Sequence, residues 1–337
     1  MESENSILNF ASNKELKDKL AGCIVGCAVG DALGVPHEFR FHKKNIYTGE
    51  LHIVPEFHFL FSHRKDVVGQ YSDDTEMTLC TVMSMIESKG VYDKRIFVKN
   101  YQKWAATAKA LGTNTKELFK GVKTMKGYEN RYNKKFNVPE SEWGQSNGSL
   151  MRCSILSFFG EDVIIEDCKL TNPHYVNIDC CKVYSLLIRN AANHVDTKIT
   201  RSKIKKMDVC AEVMDVFNDA IKQPIPKRDV TGKSKGWVLH AFYCACWAWY
   251  HSTSYQNSID TIIKMGGDTD TNAAIAGALL GVKYGLNKLK EESRTSKNID
   301  IVLSIDSTQG ENPIPEWLRL TNDSVSDMVD KLHVLLL

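Results

Sequence analysis

Two short segments of this 337-residue chain concentrate oxygen ligands where a helix should begin. One is Tyr71-Ser72-Asp73-Asp74-Thr75-Glu76; the other is Met265-Gly266-Gly267-Asp268-Thr269-Asp270-Thr271. Serine, aspartate and threonine are good helix N-caps. Capping accounts for one acid per segment, not for four aspartates. Neighbouring residues on a regular helix diverge. At a loop-to-helix junction, however, Asp73 with Asp74, and Asp268 with Asp270, can curl around a common point. If the segments meet, four carboxylates and the hydroxyls of Ser72, Thr75 and Thr271 share one site. Such a cluster repels itself unless it is protonated or neutralised by cations. Hard oxygen donors without cysteine or clustered histidine favour magnesium, or manganese, over zinc. A bridging carboxylate would let two ions share the site. The competing reading is helix caps, surface acidity and ordinary salt bridges.

Two further segments carry polar groups at breaks. In Gly30-Asp31-Ala32-Leu33-Gly34-Val35-Pro36-His37-Glu38, the proline should end a helix. Glu38 then either points into a cleft or is an ordinary exposed acid, and Asp31 is expected to organise the turn. In Ser146-Asn147-Gly148-Ser149-Leu150-Met151-Arg152, a small polar turn feeds an apolar helix. Exposed backbone amides there can hold a phosphate or a ribose hydroxyl, or the segment is a plain capped turn. Arg152 either supports phosphate binding or pairs with a core-facing carboxylate.

The elements that must position these groups read as helices. Gly22, Gly26 and Gly30 would share one helix face and allow close backbone approach, with a glycine loop as the alternative. Residues 37–70 read as irregular, with His37, His42, His52, His58 and His63 in loops or on the surface. Apolar periodicity predicts helices from Thr75 to Gly90, Arg95 to Ala110, Met151 to Phe159, Asp179 to Ala192 and Val209 to Phe217. It predicts four more over Trp237–Tyr250, Ser254–Ile263, Asn272–Tyr284 and Val325–Leu337. Residues 112–147 read as a polar, turn-rich insertion with one or two short helices, a candidate substrate-side loop. Strand alternation is sparse, and a fragment such as Leu51-His52-Ile53-Val54 could pair only locally. No glycine fingerprint follows a strand, which argues against a dinucleotide-binding fold. The expectation is an all-α chain: a lead-in over residues 1–16, then a single domain over 17–337.

Composition sets bounds on partners. The apolar fraction is 43% and the charged fraction 25%, ordinary for a globular protein. The formal net charge of +2 gives nucleic-acid or anionic-membrane binding no compositional support, although balanced totals can hide a local concentration of one sign. The ten cysteines form no CxxC pair and read as reduced core thiols. The acidic start lacks a secretory signal, and no uninterrupted apolar run has the length of a membrane span. A cytoplasmic or otherwise intracellular monomer is expected.

In combination the segments resemble the ADP-ribosylglycohydrolase family, of the dinitrogenase-reductase-activating type. The matching landmarks are GCAVGDALGVPHEF from Gly26, YSDDTEM from Tyr71, SNGSLMR from Ser146, GGDTDTNAAIAGALLG from Gly266 and the late Pro315-Glu316-Trp317. They span residues 20 to 320 in the family's order. The resemblance implies a compact orthogonal multi-helix bundle around a binuclear magnesium centre. It implies hydrolysis of the glycosidic bond joining ADP-ribose to a protein side chain or small conjugate. Carried over by position, the metal ligands are Ser72, Asp73, Asp74, Asp268, Asp270 and Thr271, with Asp270 bridging. Glu38, Asp73, Asp74 and Asp270 are the catalytic set. Glu38, Asn147, Gly148, Ser149 and His174 face the substrate. One segment departs from the pattern: Leu170-Thr171-Asn172-Pro173-His174 has Asn172 at the family's histidine position, with His174 two residues on. This puts acceptor preference in doubt more than metal binding. The alternatives are a non-catalytic ADP-ribose reader or crystallin-like relative, and a magnesium-dependent hydrolase of free nucleotide conjugates. A nucleic-acid partner is not expected, except as an ADP-ribosylated end.

Overall fold

The computed structural model describes residues 12–39, 47–51, 68–108, 110–232, 234–305 and 314–337. Helix starts follow local chemistry. Ser12 caps α1 (Asn13–Gly34), and Ser72 caps α2 (Asp73–Glu87) with its hydroxyl on the Asp74 amide. Asp93 caps α3 (Lys94–Thr107), and Thr124 caps α5 (Met125–Lys135), which follows α4 (Thr113–Phe119). The chain continues through α6 (Glu161–Lys169), α7 (Tyr175–Ala192), α8 (Thr197–Ile204), α9 (Ala211–Ala220), α10 (Val238–His251) and α11 (Tyr255–Met265). It ends with α12 (Thr269–Tyr284), α13 (Leu286–Glu291), α14 (Ser293–Leu303) and α15 (Asn322–Leu336). The described residues form no strand; one isolated antiparallel bridge joins Ser146 to Trp237. The expected all-α, multi-helix bundle is what forms.

The centre of the bundle is a seam of small residues. Gly22, Gly26, Gly30 and Gly34 on α1 meet Gly281, Gly277, Ala273 and Asp270 of the antiparallel α12. A β-carbon on Gly26 would lie 2.4 Å from the Gly277 carbonyl oxygen, and one on Gly30 would lie 2.2 Å from that of Ala273. Backbones this close exclude any side chain at the contact. The stripe of glycines therefore costs helix propensity and returns it as helix-on-helix packing. The register carries the end of α1 directly onto the start of α12. By length and apolarity α1 passes the test for a membrane span, with mean hydropathy 1.4 over an 18-residue stretch, but that stretch is entirely buried inside the bundle. It is a core helix.

Several sequence expectations change. Met151 to Phe159 forms two 3₁₀ turns, Asn147–Arg152 and Ile155–Phe158, rather than an α-helix. The turn residues Asn147 and Gly148, and the buried fan of bonds around Arg152, favour the tighter winding. Helices α6, α8, α13 and α14 are only six to eleven residues long and rich in charged and polar side chains, so their apolar stripes are too brief to be read in advance. Helix α1 starts at Asn13, so the end of the lead-in, expected as loose or partly helical, is helical. His37 is buried against Tyr47, ring centroids 5.2 Å apart, and is not a surface histidine. His42, His52, His58 and His63 lie outside the described residues, as do positions 52–54 of the candidate strand fragment. All ten cysteines are free thiols and only Cys210 is not fully buried.

Candidate active site

The glycine seam delivers the two acidic segments to one place. Thr271 at the start of α12 donates its hydroxyl to Asp74 Oδ2 at 3.3 Å, across a separation of 197 residues. Ser72 donates to the same oxygen at 2.9 Å. Asp31, one turn before the end of α1, accepts the amides of Ser72 and Thr75 and the Thr75 hydroxyl at 2.6–3.0 Å. The expected turn organiser is thus the clamp that fixes α2 to α1. Gly266 and Gly267, both with positive φ, turn the chain sharply before α12. A β-carbon on Gly267 would also strike the Val230 carbonyl oxygen at 2.2 Å.

Two carboxylate triads result. Asp31, Asp74 and Asp270 offer oxygens within 4.8 Å of one another, and Glu38, Asp268 and Asp270 do the same. Asp270 belongs to both. All five residues are buried, and Asp74 Oδ1 has no hydrogen-bond partner among the described residues. The Glu38 end is held by Phe39, whose amide donates to the Gly267 carbonyl at 2.8 Å. Asn147 donates to Asp268 Oδ2 at 2.8 Å, so one residue expected on the substrate side also orients an acid.

The electrostatics reflect this crowding. Burial, then Asp268, Asp73 and Asp31, push the Glu38 carboxyl up to about 10. Burial and Glu76 raise Asp73 to about 7, and burial raises Asp31 to about 6 despite its donors. Asp74 and Asp270 are held well above the usual range by burial and by neighbouring acids. A buried, all-oxygen set with surplus negative charge and an orphaned oxygen fits hard divalent cations. Two overlapping triads can seat a pair of them through Asp270.

A cleft of about 360 Å³ opens over these groups. Its floor includes Glu38, Asp73, Asp74, Asp268, Asp270 and Thr271; its walls include Asn147, Gly148, Asn172 and residues 110–115. Ser72 is fully buried behind this floor, its hydroxyl turned to Asp74. The wall from Ala110 to Thr115 went unnamed in sequence apart from the general notion of a substrate-side insertion. Its small polar residues follow a long helix, and nothing in their spacing marks a site. Asn172 lines the cleft with its amide donating to Ser146 O and Oγ. His174 does not line it: it caps α7 through Nδ1, with Nε2 3.2 Å from Gln145 Nε2. Ser149 is also fully buried, near Asn177 and Cys181, beneath the wall rather than on it.

Arg152 takes the second of its two readings. It is buried and pairs with Asp167 at 2.9 Å, while Tyr101 donates to the other Asp167 oxygen at 2.6 Å. Its remaining donors reach the Gly148 carbonyl and Thr171 Oγ1. Thr171 in turn donates to Asn172. The guanidinium therefore shapes the cleft wall from behind.

Comparison with known proteins points to one family. The sequence model of the ADP-ribosylglycohydrolase family matches residues 12–302. ADP-ribosyl-(dinitrogen reductase) glycohydrolase of Rhodospirillum rubrum is 23% identical over 315 residues, covering 86% of this chain and 96% of that protein. ADP-ribosylarginine hydrolase Tri1 of Pseudomonas putida (strain GB-1) is 22% identical over 295 residues, covering 82% and 73%. A solved structure described as an ADP-ribosylglycohydrolase-related protein complex superimposes with a TM-score of 0.65 at 20% identity, covering 96% of this chain and all of that one.

Proposed function

Because the chain belongs to the ADP-ribosylglycohydrolase family, we propose that it is a hydrolase that uses two divalent cations, magnesium or manganese, to release ADP-ribose from a modified side chain or small conjugate. The observation that carries this reading is the pair of buried carboxylate triads sharing Asp270 at the floor of a cleft. Asp74 and Asp31 would hold one ion, and Glu38 and Asp268 the other. Ser72, Asp73 and Thr271 complete the oxygen set. When bound, the ions supply Lewis acidity that orients ribose hydroxyls and water around the anomeric carbon.

The chain's own groups do the rest. The buried carboxylates favour positive charge developing on the ribose ring. Water oxygen bonds to the anomeric carbon, and the bond to the acceptor breaks with its electron pair leaving on the acceptor atom. The water proton passes to a carboxylate of the floor, and the acceptor takes one in return. Glu38 and Asp73 both face the cleft and can carry this proton traffic. Gly148, on the cleft wall, would meet the diphosphate through its backbone. Asn172, which lines the cleft, is the residue through which acceptor choice would differ from relatives.

The test offers ADP-ribose linked through arginine, serine and a small alcohol, with magnesium, manganese or chelator, and follows free ADP-ribose by chromatography. Release from at least one linkage, lost with chelator, is expected. Release from none with either metal would overturn the proposal.

A further inference from the structure

The balanced total charge conceals a strongly basic lobe. Residues 94–135, which make up α3, α4, α5 and their connections, hold twelve Lys and Arg against two acids. That surplus of ten sits in a chain of net charge +2, so the rest of the molecule sums to −8. Lys116, Lys123, Lys126 and Lys134 are all exposed, and none forms an ion pair among the described residues. The acid Glu117 is taken by Lys135.

The same lobe carries exposed aromatic surface. Tyr132, Phe136 and Trp143 are each half-buried and line an open groove together with Lys134. The Tyr132 and Phe136 ring centroids are 4.7 Å apart, and those of Phe136 and Trp143 are 5.3 Å apart. This region borders the cleft: residues 110–115 form part of its wall, and Trp143, just beyond α5, lies three residues before the cleft residue Ser146. Three residues of extended chain span about 10 Å.

We propose that this lobe binds single-stranded nucleic acid, with bases stacked on the Tyr132–Phe136–Trp143 groove and phosphates on the surrounding lysines, beside the mouth of the cleft. Positive charge alone would suit any polyanion. Aromatic faces interleaved with lysines favour unstacked bases over an acidic polypeptide. The proposal does not depend on the hydrolase reading, since binding is read without turnover.

The test titrates the full chain into a fluorescein-labelled twelve-nucleotide oligo(dT), following anisotropy at 50 and 200 mM NaCl. Four contacted phosphates would weaken binding about 50-fold between those salts. The charge-reversed variant Lys116→Glu/Lys123→Glu/Lys126→Glu/Lys134→Glu should lose at least about twentyfold in affinity at 50 mM. Trp143→Ala should lose about tenfold. A control reversal at exposed Lys203, Lys205 and Lys206, on and just after α8, should bind like wild type. The thermal unfolding midpoint of each variant separates lost binding from lost fold, and the lysine variants stand on their own if Trp143→Ala unfolds. No binding by the wild type at 50 mM would overturn the proposal, as would equal binding by the fourfold variant. So would a polyglutamate peptide that competes as well as the oligonucleotide, because that result points to an acidic protein partner instead.

Discussion

Two buried charged clusters lie on either side of one cleft wall, and they are balanced in opposite ways. Behind the wall, the Arg152 guanidinium meets Asp167, the Tyr101 hydroxyl, the Gly148 carbonyl and Thr171. Every charge there has a counter-charge or a hydrogen bond from the chain itself. In front of it, Asp31, Asp74, Asp268 and Asp270 crowd together beside Glu38, and among the described residues no lysine or arginine is hydrogen-bonded to these four aspartates. Burial costs free energy in both places. The first cluster offsets that cost internally and makes structure. The second leaves it outstanding, which is how a protein holds a site for something that arrives from outside. The difference teaches that burial of charge does not by itself mark function; unbalanced burial does.

The largest effect should come from unbalancing the first cluster. Arg152→Ala leaves Asp167 buried without its partner, and a loss of about 3–5 kcal/mol of stability is expected. Denaturant unfolding measures it. Replacing both partners, as Arg152→Met with Asp167→Leu, should cost markedly less, and an equal cost would show that packing rather than charge dominates there.

The second cluster should respond in the opposite sense. Asp270→Asn removes one surplus charge, so in chelator the protein should melt higher than wild type, by a few degrees. With magnesium the variant should fail to gain stability, and turnover should fall roughly a hundredfold or more. If the variant melts lower in chelator, the acids are not the strained set described.

A pH series sharpens the same point. Asp31 and Asp73 have folded-state pKa values raised from 3.8 to about 6 and about 7, and Glu38 is raised from 4.5 to about 10. The folded state therefore holds protons that the unfolded chain releases, so stability falls as pH rises through that interval. In chelator the melting temperature should decline from about pH 4 to pH 7, with Glu38 extending the trend toward pH 10. The gain on adding magnesium should grow over the same range. A flat profile in chelator would remove the electrostatic account of the site.

The smallest effect tests a single bond. Asn147→Ala removes the donor to Asp268 and should weaken magnesium about tenfold by titration, with little change in melting temperature. A loss of stability as large as that of Arg152→Ala would place Asn147 in the structural cluster instead.

Much of the site was readable from residue types. Four aspartates in two helix-start motifs exceed what capping requires, and a self-repelling acid set points to cations before any coordinates exist. The helical character followed from apolar periodicity and scarce alternation. Helices α6 and α8 escaped because each is at most nine residues long and largely charged or polar, too short for its apolar stripe to repeat. The Asn147–Arg152 segment wound as a 3₁₀ turn because Arg152 is anchored to Asp167 and to the Gly148 carbonyl, contacts that adjacent residues do not announce. Asp31 looked like a turn residue because its partners lie more than 40 positions away. The basic lobe was invisible in the total charge, since the acids that cancel it lie elsewhere along the chain.

Composition and spacing by themselves determined the donor chemistry: hard oxygens, no soft ligands, glycines every fourth residue on the first helix. These are properties of side chains and local backbone. Only the tertiary structure decided that Asp74 and Asp270 share one point, that Asp31 joins them, and that Arg152 turns inward while Glu38 reaches the floor. The physical reason is the glycine seam. Its close backbone contact fixes the register of α1 against α12, and that register, set by packing between distant segments, brings the carboxylates together.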